Sequence, residues 1–142
     1  MSEDKKQMDS AIKKILVPIL REKNFKGTFP HFFREINGHI DLLTFQFNRY
    51  GGSFVVEISY ADNKRKNVYI HKDLPPGKLR SNQTTDRLRL GSKPQQGKSD
   101  HWFQYDKKNF FSRGNIFENV AKEVIPFLED QAEEWWRSKY IS

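Results

Sequence analysis

Hydrophobic positions recur with a helical period near the start of the chain. From about Asp9 to Lys23, Ala11, Ile12, Ile15, Leu16, Ile19 and Leu20 share one stripe, which predicts an amphipathic helix. Asp9 or Ser10 is placed to cap it, Gly27 to end it, and Pro18 to bend it or confine its regular part to one side. The period then drops to two. "FPHFFREI" (residues 29–36) is aromatic-rich and stops at Asn37-Gly38, a dipeptide that tolerates the positive φ angles of a tight hairpin turn. "HIDLLTFQFNRY" sets Leu43, Phe45 and Phe47 against Thr44, Gln46 and Asn48. After the Gly51-Gly52 turn, "SFVVEISY" sets Phe54, Val56, Ile58 and Tyr60 against Val55, Glu57 and Ser59. Consecutive strands on tight turns make an antiparallel meander with one apolar and one wet face.

The middle of the chain is less periodic. "VYIH" reads as a short strand and "KDLPPGKLRSNQTTD" as loop. "RLRL" (residues 87–90) is a strand with Leu88 and Leu90 inward and Arg87 and Arg89 outward. "GSKPQQGKSD" is a flexible, lysine-bearing connection, and "HWFQYD" (residues 101–106) is a further aromatic strand. The last element is a helix, with Asn115 and Glu118 spaced as a capping box. Phe117, Val120, Ala121, Val124, Leu128, Ala132, Trp135 and Trp136 mark its buried side, and Pro126 predicts a kink or a switch between two helices. The expected fold is α+β: an antiparallel sheet of four to six strands with the N- and C-terminal helices packed on one face. The other face, carrying Thr44, Gln46, Asn48, Glu57 and Ser59, is expected to be open or partly covered by the middle loops. Residues 1–142 form one domain, with 1–8 flexible and 62–100 a loop-rich basic region.

Composition narrows the function classes. Twelve Phe, five Tyr and three Trp in 142 residues supply a real core despite a modest hydrophobic fraction. With no cysteine, disulfides, thiolate catalysis and Cys-based zinc sites are excluded. The polar start "MSEDKKQMDS" has no apolar leader, and no run approaches the roughly 18 apolar residues of a membrane span, so the cytoplasm is the expected compartment. The net charge of +7 is uneven: residues 62–108 carry twelve Lys/Arg against five Asp/Glu and account for the whole excess. Such a segment suits an anionic partner, or simply a solvated loop face.

Gly97-Lys98-Ser99 ends like a phosphate-binding P-loop, but five residues separate Gly91 from Gly97 where the motif needs four. Pro94 removes an amide, and a strand rather than a helix follows. His39-Ile-Asp41 and His71-Lys-Asp73 place each pair on one face of a strand, yet both read as turn-proximal surface positions. No metal site and no cofactor is expected. No Gly-x-Ser-x-Gly elbow exists, and the acids of "EDQAEE" read as a solvated helix face, so the expectation is a protein that is not an enzyme. Nucleic-acid binding is an alternative, with Lys64, Arg65, Lys66, Lys93 and Lys98 gripping phosphates and Tyr69, Trp102, Phe103 and Tyr105 available for stacking. A second alternative, an enzyme acting on a phosphorylated small molecule, requires acidic and basic groups converging in one pocket.

The order "NFKGTFPHFFREING", "LLTFQFNRYGGSFVVEIS", "DRLRLG", "HWFQYD" and "VIPFLED" resembles a bacterial domain-of-unknown-function family numbered 4304. Its members typically read "GF-basic-aromatic-R-N", "N-Q-x-S-x-Y-G-G-x-F", "R-R-G" and "W". The resemblance spans about residues 9–136 and is most specific at residues 49–54 and 86–91. "NFKG" replaces the usual Gly-Phe, and Asn48 stands where Ser or Lys is common. The family implies no activity. Some members resemble immunity or accessory proteins of toxin systems in size and setting, which implies a role in docking on another protein. On this reading the chain is a non-enzymatic binding protein, and Arg49, Tyr50, Arg87, Arg89 and Trp102 are the candidate contacts, since Arg, Tyr and Trp dominate interface energetics.

Overall fold

The computed structural model describes residues 3–69, 71–97, 100–106 and 115–140. A helix α1 (Glu3–Glu22) leads into strands β1 (Lys26–Thr28), β2 (His31–Ile36), β3 (His39–Phe47) and β4 (Ser53–Ala61). After a long middle segment come β5 (Arg87–Arg89) and β6 (Phe103–Gln104). Helix α2 (Ile116–Phe127), a π-helical turn (Leu128–Ala132) and helix α3 (Glu133–Tyr140) follow. The strands form one antiparallel sheet in the order β1-β2-β3-β4-β5, with β6 also on β4. Among the described residues, no helix is long and apolar enough to cross a membrane, and no group of three or more His, Cys, Asp or Glu could hold a metal ion.

The helices lie on one face of this sheet. Ile12, Leu16 and Leu20 of α1 and Val120, Val124 and Leu128 of the last helical segment close over Phe32, Leu43, Phe45, Phe54, Val56 and Ile58. Helix α1 starts at Glu3, so it takes in residues 3–8 and places Asp9 and Ser10 in its interior. Met8 is buried in the core and Asp9 pairs with Lys5 four residues back. It also runs through Pro18 without a break, and it ends before Gly27. Asn24 takes the left-handed conformation (φ +72°), Phe25 N–H reaches the Leu20 carbonyl and Asn24 N–H the Arg21 carbonyl. That is a Schellman ending with Asn at its left-handed position. Gly27 instead lies in β1, a strand absent from the periodicity, because a Cβ there would sit 2.5 Å from the His31 carbonyl oxygen. The described residues of "VYIH" form no strand: Val68 makes an isolated bridge to Thr84.

The other face is half covered. Val68, Leu79 and the partly buried Leu74 from the middle segment pack on Ile40, Leu42 and Ala61 in a second small core. Strand β4 is therefore buried on both faces, and Glu57 and Ser59, expected to be open, are enclosed. Thr44 is half-buried and Gln46 exposed. At the C-terminal end, the Asn115 side chain caps α2 by accepting from Phe117 and Glu118 N–H. Near Pro126 the helix widens into the π-turn rather than splitting, since proline cannot donate to the preceding turn.

A buried ion network ties sheet to helices. Arg34 sits opposite Asp41 in the β2–β3 ladder and donates to Asp41 (2.8 Å), to Glu133 of α3 (2.7 Å) and to the Lys23 carbonyl. Its guanidinium lies over the rings of Phe25 and Trp136, and Lys23 completes the group on Glu129 and Glu133. Asp41 is therefore a fully buried partner and not a surface residue, and Glu133 of "EDQAEE" is a structural ligand. Burial pushes the Asp41 carboxyl up to about 6 against the pull of Arg34. Burial acts the same way on Glu133, but Arg34 and Lys23 outweigh it and hold that carboxyl below its ordinary value.

The two acids have opposite linkage. Asp41, with its folded pKa raised, contributes most below its ordinary 3.8 and loses that contribution as pH rises towards 6. Glu133 contributes above its ordinary 4.5 and loses it as pH falls. Removing Arg34 leaves ionised Asp41 uncompensated only where it is ionised. An Arg34→Met variant should lose about 3–5 kcal/mol of unfolding free energy at pH 8, and clearly less at pH 5, in urea melts. An equal loss at both pH values would show that Arg34 does not compensate the Asp41 charge.

Candidate functional site

Glu57 stands mid-strand in β4, on the face away from the helices, opposite Thr44 of β3 and Arg89 of β5. It is only 6% exposed. A carboxylate there needs donors to replace water. The Ser81 hydroxyl, from a 3₁₀ turn at Ser81–Gln83, donates to Oε1 at 2.9 Å. Arg87 Nη1 approaches the same oxygen at 3.5 Å and Arg89 Nε reaches Oε2 at 3.4 Å. Arg89 Nη1 also donates to Asp100 Oδ2 at 2.7 Å, and its guanidinium lies 5.6 Å from the Trp102 ring centre.

Around this carboxylate the helix-free face opens into a groove of about 570 Å³. Its walls include His31, Gln46, Arg80, Ser81, Arg87 and Arg89, with Glu57 at the floor. A second concavity of about 420 Å³ shares Glu57, Arg87 and Arg89 and reaches Asp100. A third, of about 600 Å³, runs from Arg87 past Lys93 to Trp135. Arg87 lines all three and is exposed, so it stands at their junction. Arg80 is held by the Gly77 and Leu79 carbonyls and pairs with no carboxylate among the described residues. Three arginines against one buried acid make the groove basic, while Lys5, also in its lining, pairs with Asp9. His31 shares a 3.0 Å hydrogen bond with Thr44 Oγ1. Its pKa is lowered, first by burial and then by the Arg80 charge.

The loop that supplies Asp100 interrupts the sheet edge. Two residues of β4 lie between Glu57 and Phe54, whereas thirteen lie between Arg89 and Phe103 on the partner edge, an excess of eleven. The P-loop-like stretch "GSKPQQGKS" is part of this excursion. It is not free over its described part. Gln131, from the π-turn, accepts from Gly91 N–H and donates to the Ser92 carbonyl, and Pro94–Gln96 forms a 3₁₀ turn. Gly91 is required here: φ is +90°, and a Cβ would meet the His101 ring at 2.6 Å.

The candidate contacts thus divide. Arg87, Arg89 and Trp102 come together at the groove. Arg49 and Tyr50 stand apart at the β3–β4 hairpin tip, outside the groove lining, with Tyr50 85% exposed and Arg49 5.1 Å from its ring centre. Of the alternative nucleic-acid set, Lys64 and Lys66 flank a turn whose amides wrap the Asp62 carboxylate, and the Arg65 guanidinium holds the Lys72 and Leu74 carbonyls. Lys93 is exposed in the excursion, and Lys98 lies outside the described residues. Phe103 and Tyr105 are core residues and cannot stack on bases. Glu57, Ser81 and Arg80 escaped sequence reasoning. A lone acid inside "FVVEIS", followed later by "RLR", was a signal for the first. Nothing local marks the other two.

The fold and groove define a six-stranded antiparallel α+β domain with a basic concavity on its helix-free face. The chain belongs to the family described as a domain of unknown function, DUF4304, whose model matches residues 16–138. No curated protein and no solved structure matches it.

His31 reports on the groove. With its folded pKa lowered, its contribution to stability is complete above the ordinary value of 6.5 and is lost as pH falls below it. Arg80→Gln should move the His31 titration upward in an NMR pH series, because a nearby positive charge is removed. An unmoved titration would show that Arg80 does not face His31 in solution.

Proposed function

We propose that the protein is a non-enzymatic binding protein that docks on another protein through the arginine-lined groove. The observation that carries this reading is that Arg87 and Arg89 share one buried carboxylate, with Arg80 in the same groove lining and Trp102 beside Arg89. Arginine beside an aromatic ring is the chemistry that dominates protein interfaces. Immunity or accessory action on a toxin-like partner, which the family resemblance implies, is one form of such docking. The protein reading is favoured over nucleic acid because the Arg65 guanidinium is held by the Lys72 and Leu74 carbonyls and two of the middle aromatics, Phe103 and Tyr105, are core. It is favoured over phosphoryl chemistry because Glu57, the acid in the groove, is occupied by Ser81 and two arginines.

Pull-downs from the native host give the test. Arg87→Ala changes an exposed guanidinium and should leave the melting temperature near wild type, and Arg80→Ala, which also removes bonds to the Gly77 and Leu79 carbonyls, is checked by thermal melts. Each should weaken partner retention by about tenfold. Retention unchanged in the double variant would sink the docking assignment.

A further inference from the structure

We infer that the groove receives an extended acidic segment of the partner, and that Asp100 occupies one of its carboxylate positions in the free protein. This rests on the docking reading above. Arg87 and Arg89 are two apart on one strand and point to the same face, so their origins are about 7 Å apart. An extended peptide repeats its own side chains on one face at that same interval. Acids at alternate positions of such a segment therefore meet the two guanidinium groups in register. The arginines have capacity left for this: their contacts to Glu57 are long, at 3.5 and 3.4 Å, and Arg80 adds a guanidinium without a carboxylate among the described residues.

Asp100 shows where one acid sits. It lies outside the strands, its side chain is half exposed, and it makes the shortest carboxylate contact to these arginines, 2.7 Å to Arg89 Nη1. Its place lies in the concavity that Glu57, Arg87 and Arg89 share with the main groove. A partner carboxylate that takes this position exchanges one charge-assisted hydrogen bond for another, while Asp100 turns to water at little cost. Glu57, enclosed and bonded to Ser81, stays as the fixed floor.

Fluorescence anisotropy with labelled peptides tests this. The probes are a Glu-Thr repeat, a peptide of the same composition with its glutamates in one block, and an oligothymidylate of equal charge. Asp100→Asn should tighten the alternating peptide about two- to fivefold, the worth of an exposed ion pair released. The block peptide should bind more weakly, and the gain should vanish when Arg89→Gln is added, with thermal melts confirming that this variant folds. No tightening by Asp100→Asn overturns the displacement, and docking itself stands if Arg87→Ala still weakens the host partner. Equal tightening of the oligothymidylate overturns the choice of an acidic peptide. If Arg87→Ala affects neither peptide nor partner, the docking reading fails.

Discussion

Enclosure of Glu57 in a strand covered on both faces organises the functional side of this protein. Once Phe54, Val56 and Ile58 are committed to the helices, their alternates Val55, Glu57 and Ser59 face the opposite way. The middle segment covers part of that face, with Val68, Leu74 and Leu79 on Ile40, Leu42 and Ala61 and Ser81 on Glu57, and the Glu57 carboxylate is left with little water. It then needs donors, and the β5 register delivers Arg89 and Arg87 while the Ser81 turn delivers a hydroxyl. The groove and its surplus of positive charge follow from satisfying one desolvated acid.

The helix-facing side repeats this logic with a different outcome. There Arg34 is the desolvated group, and Asp41, Glu133 and a backbone carbonyl close around it beneath Phe25 and Trp136. Arg34 and Lys23 are fully engaged by Asp41, Glu129 and Glu133, one Asp41 oxygen keeps no hydrogen-bond partner, and the network holds the C-terminal helix against the meander. On the open side three arginines face Glu57 and Asp100, and their contacts to Glu57 are long. In one arrangement every cation is enclosed by acids and carbonyls, and in the other an exposed arginine has donors facing solvent. That difference, rather than the presence of charge, separates a fastening from a docking surface.

Much of the architecture was legible because its signals are local. The alternation in β3 and β4, the Asn37-Gly38 turn, the two-residue period of "RLRL" and the stripe through Val120, Ala121 and Val124 each follow from burying one face of one element. Boundaries were less legible. Asn24 ends α1 where Gly27 was the stronger local candidate, since Gly27 is needed for close approach to the His31 carbonyl. Asp41 read as a surface acid because a strand sequence does not reveal that an arginine from the neighbouring strand and a glutamate from the last helix will meet it.

The groove shows the limit most clearly. Its arginines at 87 and 89 were visible as outward positions of an alternating strand, and Trp102 as an aromatic beside them. Arg80 and Ser81 carry no local mark, because their place depends on how 62–85 folds over the sheet. Sequence by itself determined the α+β class, the meander, the inward faces of its elements and a basic middle region, all properties of neighbours along the chain. Only the tertiary structure decided that Glu57 is enclosed, that Asp100 meets Arg89, and that Arg80, Arg87 and Arg89 line one groove. Those outcomes depend on which strangers in sequence share a desolvated space, and the free energy of a buried charge is set by that company.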